Sequence, residues 1–338
     1  MNLVLIGLLF STAFGCGLPR ASDNTNGHNQ MPWTATPAGE LANTSPRQGL
    51  DTGTQTSIGT GAVGTSTTGY DLDKPNLTQL LPAALAEISD ITTISEHEVA
   101  CVQDELGIVY VYDIRLQKIV DEVRFGPKGD YEGLTKSDAK FFVLRSDGKL
   151  YELSSLKHHP EVQTYDLRLP ARESEGLCLD ARHNRLLIAP KTSPSANGEK
   201  DWRPIYAFDL QRMALAESPA FSINVHAIRH FAKYHSLPIP RRARKTSEGM
   251  HSTLHFLPSA IAIHPVTGEA FLLSAHDHVL VSCTETGEIT GYALLDTGLF
   301  RQPEGIAFFP NGDMLISNEA AGKDATLLLF RWRPPSSR

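Results

Sequence analysis

The chain has 338 residues, 41% of them hydrophobic and 20% charged, with a formal net charge of −7. That charge content fits a soluble globular protein, and the acidic balance argues against nucleic acid as a partner, since such binding is largely phosphate neutralisation by Lys and Arg. Four cysteines are too few for a disulfide scaffold at this length.

The N-terminus opens on Leu3–Phe10, eight consecutive apolar residues, followed by Ser11, Thr12 and Ala13. This run is far shorter than the ~20 residues that span a bilayer, so residues 1–15 read as an export signal rather than a membrane helix. Ala13-Phe14-Gly15-Cys16 resembles a bacterial lipobox, with Phe14 departing from the usual pattern. Cys16 is then the residue that receives the lipid, and the expected location is a bacterial cell envelope, with the chain held to a membrane by this anchor. Ordinary secretion with a free Cys16 is the alternative.

Residues 16–69 read as a tether. From Gly17 to Gly69, 35 of 53 residues are Ser, Thr, Gly, Asn, Gln or Pro. Such a stretch buries too little apolar surface to offset its ordering entropy, and a flexible chain of this length has a typical end-to-end distance of about 40 Å. Gly59-Thr60-Gly61-Ala62-Val63-Gly64 matches a dinucleotide fingerprint, but Ser and Thr flank it where a strand and a helix are required.

From residue 70 to 338 the texture changes to short β-rich runs between turn residues. Glu87-Ile88-Ser89, Glu132-Gly133-Leu134, Glu175-Gly176-Leu177, Ser259-Ala260-Ile261 and Glu304-Gly305-Ile306 recur at spacings of 45, 43, 84 and 45. A period of 40 to 50 residues built of short strands is the signature of propeller blades. Helical patterning is confined to Leu77–Ala86 and Val225–Tyr234. The 84-residue gap holds either a sixth blade or an insertion; because 226–249 offers no clear strand, the pattern predicts an all-β, five-bladed β-propeller, with six blades as the alternative. The last blade lacks an outer strand, which Tyr70-Asp71-Leu72 is expected to supply.

As an ordered set, Gly129-Asp130-Tyr131-Glu132-Gly133-Leu134, Leu144-Arg145-Ser146-Asp147-Gly148, Glu175-Gly176-Leu177, Gln302-Pro303-Glu304-Gly305-Ile306 and Ser317-Asn318-Glu319 resemble the SdiA-regulated (YjiK-like) proteins. The resemblance covers roughly residues 70–332. It implies a five-bladed propeller, distantly related to NHL-repeat propellers, with a calcium ion in a shared site and no established catalysis. Ala189-Pro190-Lys191-Thr192 departs from the family, which tends to carry a Lys-Glu pair there.

If the blades are equivalent, Glu87, Glu132, Glu175 and Glu304 converge on the axis, where their mutual repulsion calls for a cation. Hard oxygen ligands suit Ca²⁺. Ser259 breaks the ring's symmetry, while Asp104, Glu105 and Glu319, which follow second strands, either join the site or make turns; Asp147 and Asp277 have the same choice. The competing reading is that each Glu latches backbone amides of the next blade. His276-Asp277-His278 lacks a third zinc ligand at a diagnostic spacing and reads as a solvated turn, and His158-His159 reads as surface. Cys101, Cys178 and Cys283 read as buried thiols. The insertion at 226–251 carries Arg229, Lys233, Arg241, Arg242, Arg244 and Lys245 against Glu248 alone, a solvated loop or a contact for an acidic partner. The expected role is a non-catalytic binding or scaffold module for an envelope ligand or protein; the alternative is a metal-dependent hydrolase, lactonase-like or phosphoesterase-like, using the channel metal.

Overall fold

A computed structural model describes residues 67–171, 173–192, 200–243, 250–252 and 254–334, with only the backbone of 241–243 and 250–252. The signal at 1–15, Cys16, the tether up to residue 66, the glycine motif at 59–64 and residues 244–249 of the insertion lie outside them. No helix among the described residues is long and apolar enough to cross a membrane.

The first strand, β1 (Leu77–Leu80), is followed by a 3₁₀ turn at Ala83–Leu85 and then by the strands of five antiparallel blades. Blade 1 is β2 (Ile88–Thr93), β3 (Glu98–Gln103), β4 (Leu106–Asp113) and β5 (Lys118–Lys128). Blade 2 is β6 (Tyr131–Ser137), β7 (Lys140–Arg145), β8 (Lys149–Leu153) and β9 (Val162–Asp166). Blade 3 is β10 (Ser174–Asp180), β11 (Arg185–Pro190), β12 (Trp202–Asp209) and β13 (Ala214–Leu215), with β14 (Phe221–Asn224) also paired to β12. The insertion follows as helix α1 (Val225–Tyr234) and a hairpin of β15 (Arg241–Ala243) and β16 (Met250–Ser252). Blade 4 is β17 (Ala260–Ile263), β18 (Ala270–Ser274), β19 (Val279–Cys283) and β20 (Ile289–Leu294). Blade 5 is β21 (Pro303–Phe308), β22 (Met314–Asn318) and β23 (Thr326–Phe330), completed by β1 on its outer edge. The inner strands β2, β6, β10, β17 and β21 each pack on the next, and β21 returns to β2. This is a five-bladed β-propeller.

The sequence produces this ring because its middle strands are covered on both faces and therefore read as unbroken apolar runs. β22 (MLISN) and β18 (AFLLS) are buried along their whole length. Leu273, Leu280, Ile306, Ile316 and Leu328 form one inter-blade cluster between blades 4 and 5, each side chain contributing about 1.5–3 kcal/mol on burial. Cys101, Cys178 and Cys283 are free, buried thiols, and burial pushes all three up from the usual thiol value.

The closure differs from the sequence expectation in its residues. Leu77–Leu80, not Tyr70–Leu72, is the strand that completes blade 5, with Leu77 opposite Leu329 and Leu80 opposite Thr326. The helical pattern over Leu77–Ala86 therefore gives way: β23 claims the backbone of β1, and only Ala83–Leu85 after Pro82 makes a turn. Tyr70 and Leu72 instead fill the blade 4–blade 5 cluster, the Tyr70 hydroxyl donating to the Gly312 carbonyl at 2.6 Å. Contact begins before residue 70, since the Thr67 amide donates to the Tyr292 carbonyl at 3.0 Å. Val225–Tyr234 is the helix its pattern predicts, capped by Asn224, whose side chain accepts the amides of His226 and Ala227.

Around the axis the inner strands approach closely. A Cβ on Gly133 would stand 2.6 Å from the Leu177 Cβ, and one on Gly305 would meet the Asp90 Cα at 3.1 Å and the Ser317 Oγ at 2.4 Å. Gly133→Ala is expected to cost about 1–3 kcal/mol by overpacking, read as a lower urea midpoint. Removing residues up to Leu80, by contrast with removal up to 66, is expected to abolish cooperative thermal unfolding, because it leaves the β23 edge unpaired.

Candidate metal and ligand site at the axial mouth

Four inner strands begin with the same irregularity. The register slips between Ile88 and Asp90, Tyr131 and Gly133, Ser174 and Gly176, and Pro303 and Gly305, so Ser89, Glu132, Glu175 and Glu304 are the bulged residues. A bulge turns one extra side chain out of the ladder, and here three of the four are carboxylates. In blade 4 the same place is held by Ser259, whose amide donates to the Leu273 carbonyl at 2.9 Å and whose hydroxyl donates to the Pro303 carbonyl at 3.0 Å.

The register also corrects the repeat. Counting from Ser89, the first two spacings are 43 and 43, and Glu87 falls two positions before the bulge. The Glu87 carbonyl accepts the Asp104 amide just as Asp130 accepts Ser146, Glu173 accepts Lys191 and Gln302 accepts Glu319. Glu87 therefore belongs to an outer rim with Asp130, Glu173 and Gln302, while Asp104, Ser146, Lys191 and Glu319 form the matching positions after the second strands.

These two tiers interact. Glu175 Oε1 accepts Lys191 Nζ at 3.1 Å, and that ammonium also feels Glu304 and Glu132. Gln302 donates to the Glu319 carboxylate, which shares a hydrogen bond with Glu87. Burial pushes Glu132 up to about 9, Glu304 to about 7 and Glu319 to about 8, with neighbouring carboxylates reinforcing each shift. Glu175 also rises by burial, although Lys191 opposes it. Asp104 rises through burial and the charges of Glu87, Glu105 and Asp130, and its Oδ1 is buried with no hydrogen-bond partner among the described residues. Glu105 is exposed. A cavity of about 360 Å³ opens beside the mouth, lined by Lys191, Ser259, His276, His278, Arg301 and Glu304 among others.

The opposite end of the axis is chemically different. A space of about 200 Å³ there is lined by Thr92, Thr93, Thr135, Lys136, Ile263 and Phe308, the C-terminal ends of inner strands. Between the two ends stands Asp90, which the sequence reading passed over. Its Oδ1 accepts the Ile91 amide and its Oδ2 the Leu134 amide, both at 2.8 Å, and the Ile306 amide also bonds to it. These are equivalent residues of blades 1, 2 and 5. The other blades carry Gly133, Gly176, Ala260 and Gly305 at the Asp90 position, so a single carboxylate fits in the space that four small residues leave. The signal was present in the sequence but needed alignment on Ser89 rather than Glu87.

Among the remaining candidates, His158 and His159 are exposed, and Asp147 pairs with Arg145 at 2.5 Å. His278 Nε2 contacts the Arg301 carbonyl at 3.2 Å.

No family model matches the chain, and no curated protein matches it in sequence. Among solved structures it is similar to a glutaminyl cyclase of Myxococcus xanthus, at 14% identity and a TM-score of 0.49, covering 77% of this chain and 96% of that one. It is also similar to a luciferin-regenerating enzyme, at 10% identity and a TM-score of 0.43 over 76% and 95% of the two chains. A nidogen/laminin complex follows at 9% identity and 0.43, over 69% and 73%. None of these likenesses brings an activity to this chain.

Two outcomes follow from the mouth. Because Glu132, Glu304 and Glu319 sit above the usual 4.5 in the folded state, the fold binds more protons than the unfolded chain. Their stabilising contribution is full below about 4.5 and is lost as pH rises through about 7 to 9. The Tm of chelator-treated protein should fall from pH 5 to pH 9, and Glu132→Gln should flatten that slope. Asp90→Ala strands the Leu134 and Ile306 amides and is expected to cost about 2–5 kcal/mol in chemical denaturation.

Proposed function

We propose that the chain is a non-catalytic binding and scaffold module of a bacterial cell envelope, lipid-anchored through Cys16, whose axial mouth binds calcium. The observation that carries the reading is the concentration of Glu132, Glu175, Glu304 and Asp104 at one end of the axis, with Lys191 among them and Asp104 Oδ1 without a hydrogen-bond partner among the described residues. Repulsion of this kind is relieved by a hard cation with oxygen ligands, and Ca²⁺ accepts 6–8 oxygens in irregular geometry. Glu132, Glu175, Glu304 and Asp104 are the residues that would hold it. No three of their oxygens lie within 4.8 Å of one another among the described residues, so binding requires side-chain rotation or intervening water. The ion would supply positive charge and cross-link blades 1, 2, 3 and 5.

Ser89 and Ser259, at two of the five equivalent positions, break the symmetry of the ring, and the cavity opens beside Ser259. That leaves room for an envelope ligand next to the ion. Export and lipid anchoring draw on the apolar run Leu3–Phe10 and on Cys16, the stand-off from the membrane on the polar composition of 16–69, and calcium also on the family resemblance.

With the full chain stripped of metal, adding Ca²⁺ to a hundredfold excess over its Kd should raise the Tm by about 5 °C or more at pH 8. Glu132→Gln and Glu304→Gln should weaken that response at least tenfold in calcium concentration, and Lys191→Met should strengthen it. A Tm indifferent to calcium in the parent protein overturns the metal assignment. Turnover of any substrate in a panel of esters, lactones and phosphodiesters overturns the non-catalytic one.

A further inference from the structure

A second constellation lies at the rim of the same cavity and uses different chemistry. Among the described residues, His255, His276 and Asp277 are the group whose ligand atoms all lie within 4.8 Å of one another. His276 and Asp277 follow β18, whereas His255 comes from the segment after the insertion, 21 residues earlier. The sequence offered His276-Asp277-His278, with no third ligand in sight. The fold replaces His278 by His255.

The arrangement is built rather than casual. Asp277 is buried, and its two oxygens are oriented by three donors: the Phe256 amide at 2.7 Å and the Ser274 hydroxyl at 3.2 Å on Oδ2, and the His255 amide at 3.2 Å on Oδ1. Oδ1, the less engaged oxygen, lies 4.0 Å from His255 Nδ1. The His255 and His276 rings are 5.6 Å apart, edge to face. The backbone that presents His255 is pinned on two sides. Arg203 of β12 donates to the Phe256 carbonyl at 2.7 Å and to the His255 carbonyl at 2.5 Å, and Arg229 of α1 donates to the Leu254 carbonyl at 2.5 Å. Phe256 sits at φ +49, a left-handed conformation that a bulky residue adopts only when its surroundings impose it. Two buried or half-buried guanidiniums and a strained residue thus serve to set one exposed histidine beside another.

We propose that His255, His276 and Asp277 bind a divalent transition ion, zinc in preference to calcium. Two imidazoles are nitrogen donors that suit zinc, which also accepts a carboxylate oxygen, whereas calcium takes a shell of oxygens that this group cannot supply. Ligands of a tetrahedral zinc stand about 3.3 Å apart given Zn–N near 2.0 Å, so the present separations close by small χ rotations of two exposed rings. The Asp277 hydrogen bonds are the outer shell that orients a ligand before the ion arrives. Three protein ligands leave a fourth position open. His276 belongs both to the triad and to the cavity wall, so the ion stands where a molecule in that cavity can reach it.

The test uses the full chain without a polyhistidine tag, stripped by chelator and titrated with Co²⁺, whose visible absorption reports tetrahedral binding, followed by displacement with Zn²⁺. One equivalent is expected, with affinity at least thirtyfold weaker in His255→Gln and in His276→Gln, both exposed positions that leave the fold intact by circular dichroism. His278→Ala and Glu132→Gln should bind as the parent does, which separates this site from the axial carboxylates. No cobalt spectrum in the parent, or equal binding in the two histidine variants, or loss of binding in Glu132→Gln overturns the proposal.

Discussion

Asp90 is the point on which the ring depends. Five strands converging on an axis leave little space between them, and at four of five equivalent positions the residue is Gly or Ala. The fifth supplies a carboxylate that accepts amides from three blades. Burial drives its pKa well up, and the three amides pull the other way without prevailing. An unpaired buried amide is costly, so this one side chain satisfies donors that otherwise face each other across the axis. Serine and threonine make lesser links of the same kind: Ser259 to Pro303, Thr93 to Phe308 and Thr135 to Leu179.

With the axis blocked midway, its two ends are independent surfaces, and the sequence has made them unlike. The end where inner strands begin collects carboxylates because each bulge turns its extra residue toward the mouth. The end where they finish collects threonines and aliphatic groups. Lys191 tempers the first without neutralising it. The histidine pair lies on the rim of the acidic end, so both metal chemistries proposed above share one face.

Much of this was legible in the chain. The period of 40 to 50 residues and the doubly buried strand runs pointed to five blades, and Glu132, Glu175 and Glu304 fall at equivalent bulge positions in three of them. Glu87 misled because it lies two residues before a bulge that carries serine in blade 1; a pattern of residue types does not reveal a slip in pairing register. Leu77–Leu80 looked helical because its two leucines stand at i and i+3, a helical spacing that puts them on opposite faces of a strand, and the deciding factor, an unpaired edge on β23, is far away in sequence. His255 was invisible for the same reason: nothing local links it to His276, and its segment is held there by Arg203, Arg229 and Asp277, all distant in sequence.

The seam between the chain's two ends has a consequence for how the molecule comes into being. Among the described strands β1 is the first in sequence and β23 the last, yet they pair residue for residue, and the Gly69 carbonyl accepts the Arg333 amide beyond them. Four blades can assemble in order as the polypeptide lengthens, but the fifth waits for the final strand to appear. Non-local pairing of this kind is slow. Until β23 emerges, Leu77 and Leu80 stand without their partners, and the nascent ring stays open at one place for that whole interval.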